Sequence, residues 1–512
     1  MGIKAALPRY ELYLYSAVLA GALIWAGSWI FEASSDNVNR KAFKEGVKPG
    51  WHYFGRKMDV ADFEWMMWFS TFRNHILFAL TGHVIFAKIF TLLAPKVCGS
   101  HRPLIFAAYG GLAVLVTMGW TFMTLVVSHC VILYSIALVK KKWMCFAAGL
   151  GTLASIKLEP YNTWQETLVT GSFDLQDILF YGGCGFSIMR CMSFALENCD
   201  RKEGNYTFSD LLKYNFYLPF FFFGPIMTFD RFHAQANNTQ LTRKEREMWN
   251  ITTKALLHLG VILVVDVFFH YLYILTIPSD MKLVNKLSDW CLAGLAYSNL
   301  VYDWIKAAVM FGVINTTYVS LPPYCCTKQM SFLLFFQRHF DRGINDWLCK
   351  YVYDYIGESH DKIFKELLAT VCTFAITTLW LGPCELVYIW SFFNCFGLNF
   401  ELWVAKFFSI PPFSIMEVRT MGEAMSRRIR GVFNAANFWA IVLYNVLSLN
   451  SLEFAKLVGR RIIFKGFPLS TLSVLLVTYC GVQLVKERER QQALLEDPDP
   501  VKPVDDGKEK AE

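Results

Sequence analysis

An all-α, polytopic membrane protein is the fold class this sequence predicts, and three observations predict it. Uncharged apolar runs recur, the first from Leu12 to Phe31, and a membrane-crossing helix needs roughly 20 such residues. Of the 512 residues 54% are hydrophobic, 16% aromatic and only 18% charged, too apolar for an ordinary soluble enzyme of this length. Basic residues gather at the ends of apolar runs, as in Lys140-Lys141-Lys142, Arg427-Arg428, Arg460-Arg461 and Lys486 with Arg488 and Arg490, the pattern of loops kept on the cytosolic side. The net charge of +7 is therefore membrane patterning and predicts no nucleic-acid partner.

In order, the runs after the first lie at 104–139 (long enough for two short spans), 255–276, 292–315, 367–403, 431–449 and 469–485, with weaker ones at 66–94, 144–157, 177–196 and 214–229. About ten or eleven membrane segments result, some of them re-entrant. The first run is too long for a signal-peptide core and reads as a retained anchor. Residues 33–62 are polar and read as lying on the membrane surface, because Trp51, Tyr53 and Phe54 alternate with Arg56 and Lys57. Segment 66–94 carries Arg73, His75, His83 and Lys88 and should pack against other helices or line an aqueous recess. In 177–196 the small residues Gly182, Gly183 and Gly185 permit close helix approach, and Arg190 demands a partner or a watery cavity. Residues 1–485 thus form one membrane-embedded domain, and 486–512 a charged, disordered tail on the cytosolic side. The fourteen cysteines are scattered without a CxxC pair and read mostly as buried thiols.

Several constellations carry possible chemistry. Tyr214-Asn215-Phe216-Tyr217-Leu218-Pro219 is followed by Phe220 to Phe223 and Gly224-Pro225-Ile226. Two prolines and a glycine so close cannot make a straight span, and a broken, protein-buried segment is the physical solution. Asp266 and His270 are four residues apart and share a helix face, either as an acid–base pair or as two polar groups bonded to neighbouring helices. Asp303 and Lys306, three apart, neutralise one another most simply. Farther on stand Cys325-Cys326, then Phe340-Asp341-Arg342-Gly343, Tyr351-Val352-Tyr353, and Trp380-Leu381-Gly382-Pro383.

Taken together, the Tyr-Leu-Pro…Gly-Pro-Ile stretch, the Asp341 segment and the Trp-x-Gly frame resemble the membrane-bound O-acyltransferase family, and within it the branch that acylates Hedgehog proteins. The resemblance covers about residues 1–485. It implies that family's fold, with a tunnel bringing palmitoyl-CoA to meet a protein acceptor. It also implies a site in which an upstream polar residue, here Asp341, works with a downstream histidine set between Trp and Gly. That position reads Leu381, which has neither a lone pair nor a proton to give. Loss of a general base alone costs on the order of 10²–10⁴ in rate. Asp341 then either keeps a vestigial family role or pairs with Arg342 or Arg338. His270 is the alternative base that the sequence offers. The aromatic run 220–223, Trp304, Trp347 and Trp390 either line the tunnel or are simply core. The resemblance further places Cys326 near a haem-ligating cysteine, and adjacent Cys325 and Cys326 are alternatively palmitoylated. No cofactor is required.

Three functions follow as expectations: a catalytically impaired homologue that dampens N-terminal palmitoylation of Hedgehog precursors by binding donor or acceptor; an active acyltransferase using a different base or a lipid acceptor; and a transporter or scaffold reusing the tunnel. Lys508 and Lys510 resemble a dilysine retrieval signal and point to the endoplasmic reticulum membrane with a cytosolic C-terminus. An epitope placed after Pro503 should accordingly be reached by antibody when only the plasma membrane is permeabilised, and its protection would reverse the orientation.

Overall fold

The structure is a computed structural model, in which residues 6–71, 81–86, 89, 98–168, 174–221, 226–236, 245–320, 342–357 and 363–496 are described. Its longer helices, in chain order, are α1 (Arg9–Asp36), α2 (Cys98–Ala137), α3 (Lys142–Ser155), α4 (Tyr161–Leu168), α5 (Asp174–Asp200), α6 (Phe208–Asn215), the one-turn α7 (Leu218–Phe221), α8 (Phe229–Ala236), α9 (Glu245–Phe269), α10 (Asp289–Ser320), α11 (Arg342–Leu348), α12 (Ile363–Leu381), α13 (Glu385–Ser409), α14 (Pro411–Leu449), α15 (Leu452–Gly459) and α16 (Leu469–Glu496). Two short strands, β1 (Val47–Pro49) and β2 (Lys57–Asp59), pair antiparallel between α1 and α2. Among the described residues five stretches are long and apolar enough to cross a membrane: Arg9–Asp36, Pro103–Ala137, Thr252–Phe269, Phe364–Leu381 and Leu469–Gln492. The protein is thus an all-α, multi-pass membrane protein, as its composition predicts. The weaker runs at 144–157 and 177–196 and the run at 292–315 also form helices, within α3, α5 and α10.

The long run at 104–139 is two helical stretches that meet within α2 at a kink at Gly119, where φ is +84°. The run at 367–403 is not continuous. It divides into α12 and α13 at Gly382-Pro383-Cys384, because proline lacks the N–H that continues a helix and disfavours helical geometry in the residue before it. Gly382 takes a φ of +104°, a conformation open to glycine and strained for a residue with a Cβ. The run at 214–229 breaks as its prolines require, into α6, α7 and α8. Thr207 and Asp210 close a reciprocal capping box at the start of α6.

By internal contact the chain forms two units, residues 38–279 with 298–395, and residues 1–37 with 280–297 and 396–512. In the first, buried residues of α2, α3, α5, α6, α7, α8 and α11 build one core, with Phe122, Phe180, Phe194, Phe229 and Trp347 among its largest members. The β-hairpin is pinned to the segment after α9 through Asp59. That fully buried carboxylate accepts from the N–H of Leu275 (2.9 Å) and of Thr276 (3.1 Å), and from the Thr276 hydroxyl (2.7 Å). Burial pushes its pKa up to about 6 against the pull of these donors.

In the second unit, ion pairs join the helices. Arg428 of α14 meets Glu11 of α1 at 2.6 Å, Arg461 meets Asp289 at 2.6 Å, and the buried Arg427 of α14 meets Glu487 of α16 at 2.8 Å. Two expectations change here. Arg427 and Arg428 are not loop charges but lie within α14, shortly after its kink at Gly422, spent against carboxylates. Nor is the chain disordered from 486: α16 runs to Glu496, held by the Arg427–Glu487 pair and by Arg490, which reaches Glu487 at 2.7 Å.

Glu487→Ala leaves Arg427 buried without its carboxylate and should destabilise the protein by about 3–5 kcal/mol. The thermal midpoint in detergent micelles reads this, and joint replacement of Arg427 and Glu487 by Met should recover most of the loss.

Candidate functional site

The interrupted segment around Pro219 is positioned by one buried cation. Arg190, in the middle of α5, is 1% exposed. Its Nε donates to the Asn215 side-chain oxygen (3.0 Å), its Nη2 to the Phe221 carbonyl (3.2 Å) and its Nη1 to the Phe220 carbonyl. The reason is written in the sequence. In a helix the Phe221 carbonyl would bond the N–H four residues on, and that residue is Pro225, which has none. The guanidinium supplies Phe221 with the donor that the proline withholds and gives a second to Phe220. Asn215 is itself held, its amide donating to Ser187 (2.7 Å) and to the Cys130 sulfur (2.9 Å).

One helical turn farther along α5, a chain of hydroxyls ties in the segment that follows Asp341. The Phe229 N–H donates to Ser193 Oγ (2.9 Å), Ser193 and Tyr351 share a hydrogen bond (2.8 Å), and Tyr351 donates to Glu197 (2.7 Å). Since Tyr351 gives its proton to the carboxylate, Ser193 gives its own to Tyr351. Lys350 bridges Glu197 (2.6 Å) and Asp230 (2.9 Å). Trp347, fully buried, donates to the Met189 carbonyl (3.1 Å). Trp347 and Phe220–Phe221 are thereby core residues.

The Trp-x-Gly frame closes against the same helix. The Trp380 ring meets Phe186 edge-on at 5.8 Å, over Gly185, where an added Cβ would lie 3.5 Å from Trp380 Nε1. That distance is ordinary van der Waals contact, so the packing at Gly185 does not itself require a glycine. Leu381, the last residue of α12, is 43% exposed and offers no hydrogen-bonding atom. The Gly382 N–H bonds back to the Thr378 carbonyl (3.1 Å), and Thr378 shares a hydrogen bond with Ser391 across the break (2.6 Å). Lys157 lies beside Gly382, its ammonium 5.0 Å from the centre of the Tyr181 ring.

Of the residues singled out by sequence, Asp341, Arg338, Cys325 and Cys326 lie outside the described residues, and so do the haem and palmitoylation expectations that rest on Cys325 and Cys326. His270 is fully buried. Its Nε2 accepts from the Trp51 N–H at 2.8 Å, so Nδ1 carries the ring proton and donates to the Asp266 carbonyl at 2.7 Å. Both nitrogens are committed to the fold. The Asp266 carboxylate accepts from Trp65 Nε1 (2.9 Å), so the shared helix face holds two structural anchors. Lys306 lies 3.7 Å from Asp303 but closer to Asp62 (2.9 Å) and Glu64 (2.8 Å). Sequence reasoning passed over Ser193, Glu197, Lys157 and Tyr181. The first two were findable, because Ser187, Arg190, Ser193 and Glu197 recur at three- and four-residue steps along one face of an otherwise apolar helix.

Residues 119–429 match the model of MBOAT, the membrane-bound O-acyltransferase family. Over 97% of its length the chain is 58% identical to the protein-cysteine N-palmitoyltransferase HHAT-like protein of Mus musculus, covering 98% of that protein. It is 26% identical to the mouse protein-cysteine N-palmitoyltransferase HHAT, over 93% of this chain and 97% of the other. It is 22% identical to protein-cysteine N-palmitoyltransferase Rasp of Drosophila melanogaster, over 73% and 74%.

Two substitutions weigh the buried contacts. Tyr351→Phe removes the hydroxyl between Ser193 and Glu197 and should cost about 1–3 kcal/mol. Arg190→Met strips donors from two interior carbonyls at once and should lower the thermal midpoint further. The reverse order would mean that those carbonyls have other donors.

Proposed function

The chain belongs to the membrane-bound O-acyltransferase family, and from that premise we propose that it is a catalytically impaired relative of the HHAT-type palmitoyltransferases. It holds an acyl donor such as palmitoyl-CoA, or the protein acceptor, without turning it over, and so lowers N-terminal palmitoylation of Hedgehog proteins by an active relative in the endoplasmic reticulum membrane. The observation that carries this reading is Leu381. The frame around it is intact, with Trp380 seated on α5 and Gly382 turned out of the helix, and the side chain in the base position cannot take a proton.

Acyl transfer from a thioester requires that the incoming amine or hydroxyl be deprotonated, which histidine does best near neutral pH. His270 does not replace the missing group, because its lone pair is occupied by the Trp51 N–H and its proton by the Asp266 carbonyl. Asp341 alone is a weak base at an ordinary carboxylate pKa. Binding asks for less than catalysis, namely an apolar path and a fixed backbone. Arg190 and the Ser193–Tyr351–Glu197 chain fix that backbone without contributing a base.

The test is acyl transfer by purified protein from radiolabelled palmitoyl-CoA to a Hedgehog N-terminal peptide, alongside co-expression with an active HHAT. Wild type should give no product above background, and co-expression should reduce the active relative's product, with Asp341→Ala and His270→Ala leaving that reduction in place. Robust wild-type turnover that vanishes in His270→Ala would overturn the proposal in favour of an active acyltransferase with a different base. Lipid flux in proteoliposomes, without effect on the active relative, would favour a transporter.

A further inference from the structure

Residues 38–60 carry six basic side chains, Arg40, Lys41, Lys44, Lys48, Arg56 and Lys57, against two acids, Glu45 and Asp59. Asp59 points inward and is consumed by Thr276 and Leu275, so the outer surface of this module is strongly positive. Two aromatic side chains stand on it, Tyr53, 96% exposed, and Trp51, 36% exposed. Cations interleaved with exposed aromatics are what a protein places at the headgroup level of a bilayer.

The module is fastened where the apolar stretch Thr252–Phe269 ends. The Trp51 N–H bonds to His270, and the Tyr273 hydroxyl donates to the Lys57 carbonyl (3.1 Å). Gly50 allows the approach: a Cβ there would come within 2.4 Å of His270 Nε2. Immediately below lies an apolar groove of about 380 Å³ lined by Leu263, Val264, Val267, Phe268, Tyr271 and Leu272. The Arg56 guanidinium stands 5.1 Å from the centre of the Tyr271 ring, at the mouth of that groove. The arrangement is amphipathic: an apolar groove on the end of a membrane-length apolar helix, with a cation beside it.

We infer that this groove and the hairpin above it form a binding site for an anionic phospholipid, one acyl chain lying against Leu263 to Leu272 and the acidic headgroup meeting Arg56. The basic residues of the module attract the anionic leaflet, and Arg56, held over Tyr271, fixes the headgroup at the groove. A zwitterionic lipid gains the groove but not the charge.

The experiment uses the full chain in phosphatidylcholine nanodiscs containing a trace of photocrosslinkable phosphatidylserine or, separately, photocrosslinkable phosphatidylcholine, with adducts mapped by mass spectrometry. Phosphatidylserine adducts should concentrate within 263–272 and exceed phosphatidylcholine adducts there. Near an anionic surface a single Lys or Arg is worth about fivefold, so Arg56→Gln should cut the phosphatidylserine excess by about that factor and leave phosphatidylcholine labelling unchanged. Arg56→Lys, which keeps the charge, should retain most of the excess. Equal labelling by the two probes in wild type, adducts centred elsewhere on the chain, or a fall in Arg56→Lys as deep as in Arg56→Gln would each overturn the assignment.

Discussion

A guanidinium buried in an apolar core is the constraint on which the first unit depends. Desolvating a cation is costly, and Arg190 is tolerated because the chain beside it is broken. Pro225 removes the donor that Phe221 would have used, and Arg190 supplies another. Each feature supports the other: the Phe221 carbonyl has the arginine as donor, and the arginine has the Phe220 and Phe221 carbonyls as acceptors. Asn215 extends the arrangement to Ser187 and Cys130, so α2, α5 and the break share one hydrogen-bonded centre. The hydroxyl chain through Ser193 and Tyr351 carries it on to the segment after Asp341.

The frame around Leu381 is held by the same helix, α5. Trp380 is held edge-on against Phe186. The Gly382 turn is fixed by Pro383 and by the Thr378 carbonyl. None of these contacts involves the side chain at 381, so the local fold does not depend on which side chain stands there.

Much of this was legible in the sequence, and what was not has a common cause. The membrane runs, the break at 214–229 and the Trp-x-Gly frame are local patterns, and each took the form that proline, glycine and apolar length require. The pairing of Asp266 with His270 on one face was equally legible, but His270's other partner is a backbone N–H at Trp51, which no side-chain pattern announces. Arg190 plainly needed a partner, and its partners are carbonyls, which every residue possesses. The division at Gly382-Pro383 was the exception. Both residues were in plain view, and the apolar character on either side masked the break they make.

Charge was the least transferable signal. Arg427, Arg428 and Arg461 read as loop cations because they sit at the ends of apolar runs, yet their partners Glu487, Glu11 and Asp289 lie on other helices far along the chain. A cation neutralised within a helix bundle is held by its partner and not by the leaflet, so it drops out of any count of which loops face the cytosol. The residues that keep their weight in that count stand on surface modules, and the hairpin at 38–60 is the most concentrated of these. Its charge faces outward because its one buried acid, Asp59, is turned against Thr276 to hold the module in place. The contact that anchors the hairpin therefore also makes its outer surface basic.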